Sequence, residues 1–267
     1  MPAPVVMEPM GTPEPEELRQ KIAHGCVYLV FLTLVAQVSA LVLVKLHYWN
    51  PVWDDAYLFY RYGENLLNHG NWGWNPGSEA TFGLTSNLYG FAVLVVRNLV
   101  TQDPAWVLWC ASVIYGVGFL AAGGHAAAHD PRVDKSLRAW GLLVVAIGLF
   151  LPRENLSAHF SSGMDTTFAM GFVSAWIWLF RLSLSSPGSP VRWVVGILGA
   201  LTYWVRPDLL PFVLAPAGLV AIWAVNPDQR RVGRLILVLS LAGLVGLLVL
   251  SSMWLGSALP LPFYVKS

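Results

Sequence analysis

Asn87-Leu88-Tyr89-Gly90-Phe91-Ala92-Val93-Leu94-Val95-Val96-Arg97-Asn98-Leu99-Val100 is the stretch on which the topology of this chain turns. It is the weakest of a series of apolar runs, and a run needs roughly 20 residues to cross the hydrocarbon core untilted. If 87–100 crosses, every later loop changes sides. If it lies in the interface as an amphipathic or re-entrant helix, about seven spans remain.

Those spans are the apolar segments near 24–46, 105–128, 139–152, 166–184, 193–205, 209–225 and 235–256. The chain is 56% apolar and only 12% charged, where roughly 25% charged is usual for a soluble domain. Thirteen tryptophans and nine tyrosines suit a membrane protein, because amphipathic rings collect at headgroup depth. A net charge of +1 excludes the broad basic surface of a nucleic-acid binder, so no nucleic-acid partner is expected. Cys26 and Cys110 both lie inside apolar runs and read as small buried hydrophobes rather than a disulfide or a metal pair. Residues 1–23 open with a Pro- and Glu-rich stretch that cannot bury a core, and are expected to be a disordered cytoplasmic tail. Val38-Ser39-Ala40 mimics a signal-peptidase site, but the apolar run continues through Leu41–Val44, a length that favours a retained helix.

Charge arbitrates the topology, since Lys and Arg are held on the cytoplasmic side. With seven spans and the N-terminus inside, the inner set holds Arg19, Lys21, Arg132, Lys135, Arg138, Arg181, Arg192, Arg230, Arg231 and Arg234. The outer set holds Arg61, Arg97, Arg153, Arg206 and Lys266, with Lys45 at an outer helix end. The basic excess favours 87–100 as interfacial. Residues 47–104, 153–165, 206–208 and 257–267 then all fall on one outer face; with eight spans Asp54 and Arg206 would be on opposite sides.

Within the first outer loop, Trp53-Asp54-Asp55-Ala56-Tyr57 places paired carboxylates directly after the first long apolar run. Residues 54–69 read as a helix lying on the membrane, aromatic side down, with Gly70 as its C′ residue. One aspartate is accounted for by an N-cap, which needs a single carboxylate. The functional reading gives one the role of general base toward an acceptor hydroxyl. The other then orients that hydroxyl or holds a divalent cation, Mg2+ or Mn2+. Asn71-Trp72-Gly73-Trp74-Asn75-Pro76-Gly77 is turn chemistry interleaved with aromatics, and Thr81–Asn87 leads into the interfacial helix.

Three further motifs share the outer face. Ser162-Gly163-Met164-Asp165 opens the span at 166–184, where Asp165 is either an N-cap or a site carboxylate. His159 and Glu154 stand in the same loop, and a lone histidine is more often structural than catalytic. Arg206-Pro207-Asp208 interrupts two apolar runs, with Pro207 suited to the first turn of the next helix. A membrane-embedded arginine is costly unless paired or facing a polar cavity. Arg206 is therefore a candidate ligand for a phosphate, whose oxygens match its planar fork, or a partner in an internal salt bridge to Asp208 or a loop aspartate.

Taken in order, Asp54-Asp55-Ala56-Tyr57, Phe59-Tyr60-Arg61-Tyr62, Asn75-Pro76-Gly77, the Gly-x-Thr-x-Asn stretch at 83–87, Ser162-Gly163-Met164-Asp165-Thr166, Arg206-Pro207-Asp208 and Leu261-Pro262-Phe263-Tyr264-Val265-Lys266 resemble the polyprenyl-phosphate-sugar-dependent glycosyltransferases of the GT-C superfamily. The likeness runs from about residue 25 to the C-terminus and is greatest to the bacterial branch that includes the mycobacterial arabinofuranosyltransferases. The resemblance implies an all-α integral membrane fold, a GT-C-like module over 24–267 of about seven spans, with interfacial helices in a first outer loop at 47–104. It implies a multi-pass protein of the bacterial inner (plasma) membrane, active on the extracytoplasmic face among membrane lipid. The implied reaction is inverting transfer of a sugar from a polyprenyl-phosphate donor to a hydroxyl of a glycan or lipid acceptor. Asp54 and Asp55 would be catalytic, Arg206 and Lys266 would bind the donor phosphate, and Arg61, His159 and Asp165 would line the substrate site. This chain has Asp165 where members commonly carry Glu, which keeps the charge and shortens its reach. Members usually continue well beyond the last motif, so a chain ending at Ser267 is expected to be a truncated form or a minimal module.

Two other classes compete: a small transporter or flippase-like lipid-sugar binding protein, and an inactive truncated homologue. Transporters tend to carry inverted repeats and broken mid-membrane helices, and neither is visible in this sequence.

Overall fold

The computed structural model describes residues 52–128 and 162–261. The expected tail at 1–23, the segments 24–46 and 139–152, Glu154, His159 and Lys266 lie outside the described residues. Described residues 52–123 and 162–261 belong to one compact unit, and 124–128 fall outside it.

Among the described residues the fold is all-helical, with no strand. A 3-10 turn, Asp54–Ala56, runs into α1 (Tyr57–His69), followed by α2 (Asn87–Leu99), α3 (Pro104–Ala128), α4 (Thr166–Ser185), α5 (Val191–Val205), a second 3-10 turn (Pro207–Leu209), α6 (Leu210–Trp223) and α7 (Pro227–Leu255). Helices α4 and α7 are long and apolar enough to cross a membrane. Helix α2 has 13 residues, or about 20 Å at 1.5 Å per residue, short of a hydrocarbon core of about 30 Å. Helices α5 and α6 have 15 and 14 residues, so a seven-span bundle is not what the described residues establish. Helix α7 starts eight residues ahead of the apolar run at 235, because Asn226 caps it by accepting the Asp228 N–H at 2.8 Å and Pro227 occupies its first turn. Polar first turns are helical here for reasons of capping, which hydropathy does not register.

Helices α4 to α7 form an up-and-down set around one core, to which α4 gives Trp176 and Phe180, α5 Val195, α6 Val213 and Ala217, and α7 Val232 and Ile236. The Trp176 indole N–H, fully buried, donates to the Val195 carbonyl at 3.0 Å. Helices α5 and α7 run parallel and close. A Cβ on Gly196 would stand 2.6 Å from Leu239 Cβ, one on Gly199 would collide with the Ser240 side chain, and one on Gly243 would stand 2.6 Å from Ala200 Cβ. Further along the same pair, Trp204 Nε1 donates to Ser251 Oγ at 3.0 Å. The outward face of α7 stays apolar and exposed at Val238, Val245, Val249 and Met253, as does that of α6 at Phe212, Leu219, Ile222 and Trp223.

The two ends of this set differ in charge. At one end Arg181 closes α4, Arg192 opens α5 and Arg230, Arg231 and Arg234 open α7. Contacts from Gln229 to the Leu184 carbonyl, from Arg192 to the Pro187 carbonyl and from Arg234 to the Ala221 carbonyl tie this end together. At the other end lie Asp165, the Arg206 turn and the C-terminus of α7, covered by α1, α2 and their loops. Trp72 stacks on Phe91 of α2 at 4.5 Å and lies 6.3 Å from Trp254 of α7. Phe82 meets Tyr203 of α5 edge-on, and its carbonyl accepts the Leu261 N–H at 2.7 Å.

Helix α1 matches its expected course, ending at Gly70 in the left-handed conformation (φ +70°) with its N–H on the Asn65 and Leu66 carbonyls. Its aromatic side faces protein, which corrects the expectation of an aromatic side laid on lipid. Phe59 packs edge-on against Tyr89 at 4.9 Å and Tyr62 against Trp72 at 5.7 Å, because α2 and the loop that carries Trp72 offer a complementary ring surface.

The α5–α7 approach gives a stability test. Gly199→Val forces a branched side chain into Ser240, whereas Gly246 has nothing within 4 Å of its Cβ position. Overpacking of this kind costs on the order of 1–3 kcal/mol, so G199V should lower the thermal midpoint of the detergent-solubilised protein while G246V leaves it unchanged or slightly raised. Equal effects from the two variants would contradict the packing described.

Candidate functional site

The site is built around the turn Ser162–Asp165. Gly163 takes φ +76°, and a Cβ there would also stand 2.9 Å from Leu108 Cβ, 3.0 Å from Val52 Cγ1 and 3.1 Å from Ala56 Cβ. Only glycine meets both demands. Three segments then fasten the turn: the Trp53 N–H donates to the Ser162 carbonyl at 2.9 Å, the Tyr89 hydroxyl to the Gly163 carbonyl at 2.8 Å, and Ser112 Oγ to the Met164 carbonyl at 3.3 Å. Tyr89 is fully buried, and desolvation pushes its phenol well above the usual range, so it stays a donor.

Asp165 follows at the N-cap position of α4, where it makes no side-chain cap bond. Its carboxylate is 2% exposed; Oδ1 lies 3.8 Å from Arg206 Nη1, and Oδ2 is buried without a hydrogen-bond partner. Arg206 leaves α5 in an extended conformation, and Pro207 begins the next turn as its ring favours. The guanidinium grips Asp208 bidentately, Nε to Oδ1 at 3.1 Å and Nη2 to Oδ2 at 3.0 Å. The internal salt bridge that the sequence left open is therefore present in this state, and Arg206 joins two aspartates.

Burial pushes the Asp165 carboxyl up to about 6; Arg206 opposes this and Asp208 adds to it. For Arg206, burial alone would lower the pKa, but the hydrogen bonds to Asp208 and the charges of Asp165 and Asp208 raise it on balance.

Asp54 and Asp55 are exposed, side by side in the 3-10 turn that precedes α1. Asp54 Oδ1 accepts the Asp55 N–H at 3.0 Å, and neither carboxylate caps α1, whose N-cap is Ala56 with no side-chain bond. Val52 and Ala56, which bracket the pair, are buried and abut Gly163, two positions from Asp165. The chain thus anchors the acidic pair to the turn that carries Asp165. As to a cation, no group of three or more His, Cys, Asp or Glu side chains converges among the described residues. Mg2+ is commonly held by one or two carboxylates plus substrate phosphate, so Asp54 and Asp55 fit such a site only as its protein half.

Arg61 belongs to another part of the loop. It pairs with Glu64 at 3.9 Å, donates from Nε to the Trp74 carbonyl at 3.4 Å and lies 5.9 Å from the centre of the Trp74 ring. Asn65, buried, donates to the Gly73 and Trp74 carbonyls at 2.8 and 2.9 Å, and the turn after it closes with the Ser78 N–H on the Asn75 carbonyl at 3.3 Å. Tyr89, Asn65 and Ser112 carry structural weight that the sequence did not single out. Their positions inside helices, without a motif around them, left no local signal.

The raised Asp165 pKa has a consequence for stability. The folded protein holds this proton more tightly than an unfolded chain with a value near 3.8. The favourable contribution is therefore complete below about pH 4 and is lost as pH rises through about 6, on the order of 3 kcal/mol in all. Asp165→Asn should flatten the pH dependence of the melting temperature between about pH 4 and 7. A profile unchanged by the substitution would refute this assignment.

Compared with protein-family models, with curated proteins and with solved structures, the chain matches none.

Proposed function

We propose that the chain is a multi-pass glycosyltransferase of the bacterial plasma membrane, built as a GT-C-like bundle of about seven spans and taking a sugar from a polyprenyl-phosphate donor on the extracytoplasmic face. The observation that carries the reading is the convergence, at one end of the α4–α7 set, of the acidic loop, the Asp165–Arg206–Asp208 cluster and the chain leading from Gly256 to Leu261. Arg181, Arg192, Arg230, Arg231 and Arg234 gather at the opposite end, as positive-inside sorting requires of a cytoplasmic side. The exposed apolar faces of α6 and α7 support a lipid surround, since water rarely faces apolar patches that extensive.

In this reading an acceptor hydroxyl gives its proton to Asp54 or Asp55 as its oxygen bonds to the anomeric carbon. The bond from that carbon to the donor phosphate oxygen breaks in line, which inverts the centre. The lipid phosphate departs with the bonding electron pair, and Arg206 meets the added charge; Lys266, by the resemblance, does the same. A divalent cation bound at the aspartates would add charge neutralisation at the phosphate.

General-base catalysis contributes on the order of 100-fold or more. Replacement of both Asp54 and Asp55 by Ala should therefore cut transfer of radiolabelled sugar from a panel of polyprenyl-phosphate donors, with and without chelator, by at least about that factor. The pair is exposed and outside the core, so the variant should keep the parent melting temperature in membranes. Transfer at the parental rate by the double variant would sink the proposal.

A further inference from the structure

Two carboxylates face one guanidinium at Arg206, and they differ in what they can do. Asp165 is 2% exposed and sits in a turn held by Trp53, Tyr89 and Ser112; it cannot leave without exposing the interior. Asp208 is 52% exposed, on a three-residue 3-10 turn, and a rotation of its side chain places it in water. Asp208 is the more exposed partner of this bidentate pair, and an incoming anion that takes the same two N–H donors replaces both hydrogen bonds while water solvates the released carboxylate, so the exchange is nearly balanced. The division of the fork matches. Nε and Nη2 serve Asp208, while Nη1 faces Asp165.

We propose that the Nε/Nη2 edge of Arg206 is an exchange site for a prenyl-lipid phosphate, with Asp165 as the fixed anchor of the arginine and Asp208 as a placeholder that the phosphate displaces. This rests on the reading of Arg206 as the donor-phosphate ligand and extends it to both aspartates. A phosphate presents two oxygens to that edge as a carboxylate does. During exchange the half-buried arginine keeps Asp165 beside it, so its charge is never left alone in the protein. Asp165 and Asp208 are positioning residues in this scheme, and neither touches the reacting carbon.

The test measures binding of a short-chain prenyl phosphate, and of the matching prenol, to the full chain in maltoside micelles, which carry no phosphate. Asp208→Asn should tighten prenyl-phosphate binding about fivefold and leave prenol binding unchanged. In an Arg206→Lys background the same substitution should give a smaller gain, since an ammonium lacks the two-point fork for which Asp208 and phosphate compete; that non-additivity separates displacement from a general loss of negative charge. Asp228→Asn removes an acid paired with Arg231 at the opposite end and should change nothing. Unaltered or weaker prenyl-phosphate binding by D208N, or a gain of equal size in the R206K background, would overturn the placeholder role. Parental binding by Arg206→Ala would instead overturn the phosphate-ligand reading itself, and with it this proposal.

Discussion

The junction at Gly163 is the constraint on which the described structure depends. Two successive carbonyls at this positive-φ glycine are claimed by different segments, that of Ser162 by the start of the acidic loop and that of Gly163 by Tyr89 of α2. Leu108 of α3 closes the space that a side chain would need. Loop, α2 and bundle are thereby registered against each other at a single turn. Asp165 emerges from it into the interior, where its charge is tolerable only because Arg206 stands nearby. An unpaired buried carboxylate would be far more costly than one that shares a partner.

Much of this arrangement is legible in the sequence, for identifiable reasons. Apolar runs located α2 to α6 to within a few residues, whereas α7 begins earlier in polar residues, where the Asn226 cap and Pro227 govern. Gly70 announced the end of α1 because helix C-termini select glycine for the left-handed region. Charge asymmetry alone places the Arg206 turn and the acidic loop at one end of the bundle. What sequence could not supply was the partner of each side chain. Arg206 reads equally as a free anion ligand and as a salt-bridge donor until Asp208 and Asp165 are seen beside it. The aromatic side of α1 has the same composition whether it lies on lipid or on α2, so only packing separates the two.

Packing also explains why the bundle keeps small residues where it does. If lipid surrounds α5 and α7, burying apolar side chains between them gains little over lipid contact, and close approach of backbones becomes the source of attraction. Gly196, Gly199, Ala200, Ser240 and Gly243 permit that approach. Rigid pairing of α5 with α7 in turn fixes the height of the Arg206 turn, through Trp204 on Ser251 and Tyr203 on the Ala258 carbonyl. A phosphate ligand held by one arginine requires such a frame, because a misplaced fork loses its bidentate geometry.

The proposed chemistry requires the two ends of the bundle to lie on opposite sides of a membrane, with the acidic loop outward. The direct measurement is thiol labelling in intact bacterial cells with a membrane-impermeant reagent, after replacement of Cys26 and Cys110. Two single substitutions are compared, Glu79→Cys in the first loop and Val225→Cys at a position 95% exposed between α6 and α7. The E79C protein should react in intact cells and the V225C protein only after permeabilisation. Labelling of both from the same side, or of V225C alone in intact cells, would contradict this arrangement.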